Sequence, residues 1–309
     1  MAPVIVTGAA GFIGSHTCDL LLAAGHPVVG VDNFRTGQQS NIAQASKHPY
    51  FRFIQADCCA PGVLQRIVAE SRPSVLIHLA ALTSVQESVR NPNLNFELNL
   101  LLTHLVAEAA RVHGIARVVF ASSAAVYGAS DQLPLNEHSL PRPISPYGAA
   151  KLASEALLLG YGAAFGISIF CLRYFNVYGP RQDPNSPYSG VISIFSDKLR
   201  AGVAPIIFGD GEQTRDFIHV QDIARANVLA ATAPSVTSLI ANICTGRATS
   251  LNQLAAGFRT RFPCAPLPMH VQTKAADIRH SLGTPNAAEA SFGFSAQVEL
   301  VDGLATLAR

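Results

Sequence analysis

The chain has 309 residues, enough for about two domains around a well-buried core. Apolar residues make up 49% and charged ones 14%, yet no apolar run reaches the roughly 18 to 20 residues of a membrane span, which excludes an integral helix bundle. A net charge of +2 without a basic block gives no electrostatic case for nucleic acid. The six cysteines lack a Cys-x-x-Cys pair and the ten histidines are scattered, so neither a disulfide framework nor a metal site is expected. The first strand starts three residues after Met1, which leaves no room for a leader; the expected location is the cytoplasm.

The run Val4-Ile5-Val6 leads into Thr7-Gly8-Ala9-Ala10-Gly11-Phe12-Ile13-Gly14 and then a helical stretch from Ser15 to Ala24. Strand, glycine turn and helix start together make an anion site, with backbone N–H groups and the helix dipole aimed at a diphosphate. The spacing is Gly-x-x-Gly-x-x-Gly rather than Gly-x-Gly-x-x-Gly, but the mechanics are the same. A second run, Val28 to Val31, ends in Asp32, 18 residues past Gly14, where a carboxylate accepts from both adenosine ribose hydroxyls. This favours NAD over NADP. Arg35 pulls the other way, as a group able to take a 2′-phosphate.

Further strand-like runs lie at Phe51 to Ile54, Val75 to Leu79, Val118 to Ala121 and Ile167 to Leu172, with helix-like stretches between them at Phe96 to His113 and Tyr147 to Phe165. Near-continuous apolar strands alternating with helices predict an α/β fold, a doubly wound parallel sheet covered on both faces. Gly8, Asp32, Asp57, Ala80, Ser122 and Asn176 then all fall at carboxyl ends of strands, around one crevice. In Ser145-Pro146-Tyr147-Gly148-Ala149-Ala150-Lys151, Ser145 suits an N-cap and Pro146 the first helical position, which puts Tyr147 and Lys151 on one helix face. A nearby ammonium favours the phenolate, so the tyrosine pKa is expected to fall below its usual value of about 10. After Asn176 the texture changes to the loop-forming Gly179-Pro180-Arg181-Gln182-Asp183-Pro184. Residues 1–177 read as a dinucleotide-binding domain and 178–309 as a smaller second domain, with 213–235 returning to the first.

The chain resembles the extended short-chain dehydrogenase/reductase family, and within it the nucleotide-sugar 4-epimerases that interconvert UDP-glucose and UDP-galactose. The carriers are Thr7 to Gly14, His78-Leu79-Ala80-Ala81, Ser122 to Gly128, Tyr147 to Lys151, Arg173-Tyr174-Phe175-Asn176-Val177-Tyr178-Gly179 and Gly209 to Phe217. The resemblance implies a Rossmann-type cofactor domain, NAD held through a cycle that passes by a 4-ketosugar, and a UDP-sugar-binding second domain. It makes Tyr147 the acid/base, gives Lys151 the nicotinamide ribose and the task of lowering the tyrosine pKa, and sets Ser123 on the sugar 4-hydroxyl. NAD contacts are implied for Gly8, Gly11, Phe12, Ile13, Gly14, Asp32, Asn33, Arg35, Asp57, Cys58, Leu79, Ala80, Ala81, Thr83, Asn99, Ser122, Tyr174 and Val177, besides Tyr147 and Lys151. UDP-sugar contacts are implied for Asn176, Val191, Phe208, Arg215, Lys274 and Asp277; Lys274 stands where relatives usually carry arginine.

Two departures narrow the resemblance. The similar 4,6-dehydratases place Asp-Glu where this chain has Ala124 and Ala125, so no acid is available to expel a 6-hydroxyl. Leu102 stands where the family often has glycine. Ser281 aligns with a size gate and leaves room for an acetamide, so N-acetylated sugars are open as well as plain hexoses. UDP-glucuronate 4-epimerisation, a net nucleotide-sugar reductase or dehydrogenase, and a non-enzymatic NAD sensor are the alternatives. The apolar helices at 96–113 and 147–165, with the resemblance, imply a homodimer through a four-helix bundle.

Overall fold

The computed structural model describes residues 1–183, 190–234, 238–261, 266–272 and 278–307. The amino-terminal half alternates strand and helix: β1 (Val4–Thr7), α1 (Phe12–Ala23), β2 (Val28–Asp32), β3 (Phe51–Gln55), α2 (Val63–Ser71), β4 (Val75–His78), α3 (Val85–Arg90), α4 (Pro92–Asn95), α5 (Leu102–His113), β5 (Arg117–Ser123), α6 (Pro146–Phe165) and β6 (Ser168–Tyr174). Then follow β7 (Asn176–Tyr178), α7 (Val191–Arg200), β8 (Ile206–Phe208), β9 (Thr214–Arg215), β10 (Phe217–His219), α8 (Val220–Thr232), β11 (Leu239–Ile243), β12 (Thr249–Ser250), α9 (Leu251–Arg261), β13 (Met269–Val271), α10 (Asn286–Phe292) and α11 (Leu300–Thr306).

Seven parallel strands form one sheet in the order β11-β6-β5-β4-β1-β2-β3. The strand order reverses between β1 and β4, so a crevice opens beyond their carboxyl ends. Both faces are covered, which is why the inner strands β1, β2, β4, β5 and β6 are near-continuous apolar runs rather than alternating, while edge strand β3 is only partly buried. Cys18, Leu21 and Leu22 of α1 and Ile223, Ala226 and Ala230 of α8 bury one face; Leu64, Ile67, Val106, Ala110 and Leu158 of α2, α5 and α6 bury the other.

Two polar devices fasten α8 to this sheet. Asn227 donates to Thr17 on α1 at 3.1 Å and accepts from the Tyr174 hydroxyl at 2.5 Å. At the helix end, where carbonyls lack partners, Arg117 of β5 donates to the carbonyls of Ala230, Ala231 and Ala233. The chain also returns to the sheet through β11, which pairs with β6 although Asn242 interrupts its apolar pattern. The apolar stretch at 96–113 is not one regular helix: Phe96–Leu101 winds as a π-helical turn before α5, and Leu102 is buried at the junction.

Beyond Asn176 a smaller cluster forms its own core. Ile192, Phe195, Ile207, Leu254, Phe258 and Leu304 pack α7, α9 and α11 over the short pairs β8–β13 and β9–β12. The parallel pair β7–β10 carries the chain from the sheet into it. Among the described residues, no helix is long and apolar enough to cross a membrane.

Candidate active site

The glycine loop is shaped by close approach. Gly8 has φ +72°, and a Cβ there would lie 2.8 Å from the backbone nitrogen of Ala80 at the end of β4. A Cβ on Gly14 would lie 2.0 Å from the Gly8 carbonyl, so only glycine lets α1 start against its own loop. Gly11 is the N-cap; no side chain caps the helix and no acid occupies its first turn. The positive end of α1 therefore faces the crevice with its backbone donors available for an anion. Asp32 closes β2 and already works on the backbone: Oδ2 accepts from Ala10 N at 2.9 Å and Oδ1 from Phe34 N at 2.7 Å. The Arg35 guanidinium donates to Glu87 at 3.2 Å across the rim.

These groups line a cavity of about 1290 Å3 that joins the glycine loop to the end of β5 and on to Arg215 and Ser281. Gly8, Gly11, Phe12, Ile13, Gly14, Asp32, Asn33, Arg35, Asp57, Cys58, Leu79, Ala80, Ala81, Thr83, Ser122, Ser123, Tyr147, Lys151, Tyr174, Asn176 and Val177 all border it. Asn99 is an exception to the sequence expectation. It lies behind the wall, donating to Leu82 O and Asn95 Oδ1, with its own Oδ1 buried and unpartnered, and does not line the cavity. The expected contacts Lys274 and Asp277 fall outside the described residues.

A second cavity of about 660 Å3 opens from the first, with Asn176 and Arg215 shared between the two and Val191 and Phe208 in its walls. Buried Asp216 organises the junction: its carboxylate accepts from Thr245 N, Thr245 Oγ1 and Gly246 N, and its carbonyl accepts from Asn176. Gln213 was not expected in a binding role. It borders the second cavity, donates to Phe208 O at 2.7 Å and keeps a buried, unpartnered Oε1. Its place inside the Gly209 to Phe217 motif was the available signal.

At the head of α6, Ser145 accepts from Gly148 N at 3.1 Å and Pro146 occupies the first turn, as the sequence predicts. Tyr147 and Ser123 border the cavity together, and the Ser123 Oγ accepts from Ala125 N at 3.2 Å. One turn on, the Lys151 ammonium donates to Ala121 O at 2.8 Å and lies 5.9 Å from the Tyr147 ring centre. The expected fall in the Tyr147 pKa is not found. Burial raises it, the neighbouring Ser123 hydroxyl opposes that rise, and the Lys151 ammonium donates to a carbonyl instead of the phenol. Burial also brings Lys151 down to about 7, against the opposing charge of Glu155. His78, beside the ammonium, is pushed down to about 3 by burial and then by Lys151, so it is neutral at ordinary pH.

A sheet whose switch point opens on a serine, a tyrosine and a lysine defines the class: an extended short-chain dehydrogenase/reductase. Residues 4–244 match the model of the NAD dependent epimerase/dehydratase family. UDP-glucose 4-epimerase of Mycolicibacterium smegmatis is 38% identical over 302 residues, 97% of this chain and 96% of that protein. The structure of UDP-glucose 4-epimerase with UDP-glucose from Thermotoga maritima superposes with a TM-score of 0.93 at 34% identity, over 99% of this chain and 97% of the other. UDP-N-acetylglucosamine 4-epimerase of Methanobrevibacter ruminantium, in complex with UDP-N-acetylmuramic acid, gives 0.94 at 33% identity over the same shares. The chain belongs to the NAD dependent epimerase/dehydratase family.

Because Asp32 holds two backbone donors as well as facing the cavity, Asp32→Ala is expected to cost about 1 to 3 kcal/mol of stability in denaturant titration. It should also weaken NAD more than NADP, since the carboxylate repels a 2′-phosphate. Equilibration with both nucleotides, followed by quantification of what stays bound, checks the second part; an unchanged NAD/NADP ratio contradicts it.

Proposed function

We propose that the chain is a UDP-hexose 4-epimerase that interconverts UDP-glucose and UDP-galactose, and also accepts the N-acetylated pair, with NAD bound through the cycle. The observation that carries this reading is that Ser123, Tyr147 and Lys151 border one cavity, with Lys151 one helical turn from Tyr147, where a loop suited to a diphosphate and a second cavity meet. The site fits the dinucleotide on its own terms: an uncapped helix start, a glycine turn with no space for a Cβ, and a carboxylate at the end of β2. When bound, NAD supplies the oxidant and then the reductant for C4 of the sugar.

Ser123 and Tyr147 hold the 4-hydroxyl between them. Tyr147 takes the hydroxyl proton as C4 is oxidised and returns it when the centre is reduced from the opposite face, so no net oxidation results. The free phenol, raised by burial, makes Tyr147 a proton carrier that needs a favourable charge nearby, and Lys151 is placed to supply it. Arg215 borders both cavities and is placed for the diphosphate, leaving the hexose end to turn over in the large one. Asn176, Val191 and Phe208, with Gln213, enclose the uridine end. Ala124 and Ala125 border the cavity without a carboxyl, so the residues facing the sugar at that turn offer no acid for dehydration.

The chain works as a homodimer in the cytoplasm on this reading. Phe96 and Leu101 are 53% and 36% exposed, and Ala149, Ala153, Ala156 and Gly160 form an exposed small-residue stripe along α6, a face that a second copy can cover. The five described cysteines are free thiols, as a reducing compartment keeps them.

Tyr147→Phe removes the transferable proton while the ring still packs. Turnover of UDP-glucose should fall on the order of 10² to 10⁴-fold, with unchanged NAD content and circular dichroism. Turnover like that of the parent protein contradicts the assignment. Ser281 borders the large cavity beside Arg215. Ser281→Tyr should cut activity on UDP-N-acetylglucosamine by about 5- to 150-fold and leave UDP-glucose nearly unaffected. Equal losses on both sugars, or a parent protein inactive on the N-acetylated one, contradict the gate.

A further inference from the structure

Three consecutive residues of β5 face three residues of α6 spaced at four-residue intervals. Ser123 meets Tyr147, the carbonyl of Ala121 takes the Lys151 ammonium, and the Ser122 hydroxyl donates to Glu155 at 2.5 Å. Residues at i, i+4 and i+8 share one helix face, so Glu155 stands one turn below Lys151 as Lys151 stands one turn below Tyr147. Arg173 of β6 fixes the carboxylate from beneath with two bonds, Nε to Oε1 at 2.9 Å and Nη2 to Oε2 at 2.7 Å. Glu155 and Arg173 are 1% and 2% exposed, and the guanidinium stacks on the Tyr127 ring at 4.8 Å.

A fully buried ion pair is a costly way to build a core. Apolar residues of similar volume are often as stable or more so, and the desolvation of two charges is recovered only with good geometry. The pair lies directly under the proton-transfer residues and binds the same strand as they do. We propose that Glu155 is a positioning residue for the reaction: fixed by Arg173, it anchors Ser122 and supports the Lys151 ammonium, and so holds Ser123 and Tyr147 in register for proton exchange with the sugar hydroxyl. The inference rests on the epimerase reading.

The charged and titratable groups around Lys151 are Glu155 and Tyr147 on its own helix, neutral His78 on β4 and Arg173 on β6; Phe120 of β5 presents only its ring, at 4.8 Å. Of these, Glu155 alone favours the ammonium. Removing its charge also leaves Arg173 uncompensated, and both changes push Lys151 toward its neutral form at lower pH.

The chain has four lysines, Lys47, Lys151, Lys198 and Lys274, so NMR of lysine labelled at the ε-carbon resolves Lys151, assigned by its loss in Lys151→Met. In Glu155→Gln the Lys151 titration should move to lower pH. The kcat for UDP-glucose near neutral pH should fall about tenfold with KM within about twofold, and Glu155→Asp should recover most of the loss. Should Glu155→Gln not fold, Glu155→Gln with Arg173→Met, which leaves no unpaired guanidinium, carries the same readouts. An unmoved Lys151 titration in the folded variant, or a loss in Glu155→Asp as large as in Glu155→Gln, overturns the proposal. If the parent protein does not epimerise UDP-sugars, the epimerase reading fails, while the lysine titration still decides whether Glu155 supports Lys151.

Discussion

The lysine ammonium buried beneath the cavity is the group around which the site is arranged. Taken out of water, a charge of this kind is worth keeping only if hydrogen bonds and opposite charge replace the lost solvation. Here one carbonyl, one aromatic face and a carboxylate a turn away do so, and the balance is close: Lys151 sits at about 7 instead of its ordinary value. A cation held near its titration point responds to whatever charge enters the crevice. Binding an anionic substrate or a charged ring beside it shifts that balance.

The rest of the fold can be read as support for that arrangement. β5 and β6 are seven residues each, longer than β1 or β4, and their extra length brings Ser122, Ser123 and Arg173 level with the first three turns of α6. On the other side of the switch point the demands are steric, since a Cβ on Gly8 would run into the Ala80 backbone and a Cβ on Gly14 into the Gly8 carbonyl, where β1, α1 and β4 meet. One half of the crevice is thus tuned by charge and the other by close approach. The second cavity adds a polar junction at Asp216, itself raised by burial and held by the backbone of Thr245 and Gly246.

Much of this was legible in the sequence. Apolar runs ending in small or acidic residues gave the parallel sheet and its crevice, and Ser145-Pro146 marked the start of α6. Those are local patterns of period and capping, which sequence states directly. What depends on three-dimensional environment was not legible. The tyrosine pKa follows from enclosure and from the Ser123 hydroxyl, whereas spacing reports only the ammonium one turn away. Asn99 sits behind the cavity wall because the chain winds as a π-helical turn through Phe96–Leu101, a rotation that no propensity marks. β11 is short, carries a buried asparagine and follows a long excursion, so its pairing with β6 is a tertiary choice. Glu155 was visible as a glutamate four residues past Lys151, and its meaning appeared only when Arg173, inside an apolar strand, was found beneath it.

On the epimerase reading, oxidation and reduction at C4 take place within one enclosed site. UDP-glucose carrying deuterium at C4 tests it most directly, by mass spectrometry of the UDP-galactose formed at equilibrium in ordinary water with excess unlabelled free NAD. The product should keep its deuterium at C4. Loss of the label to water or to the free nucleotide pool, or the absence of any UDP-galactose, would contradict it.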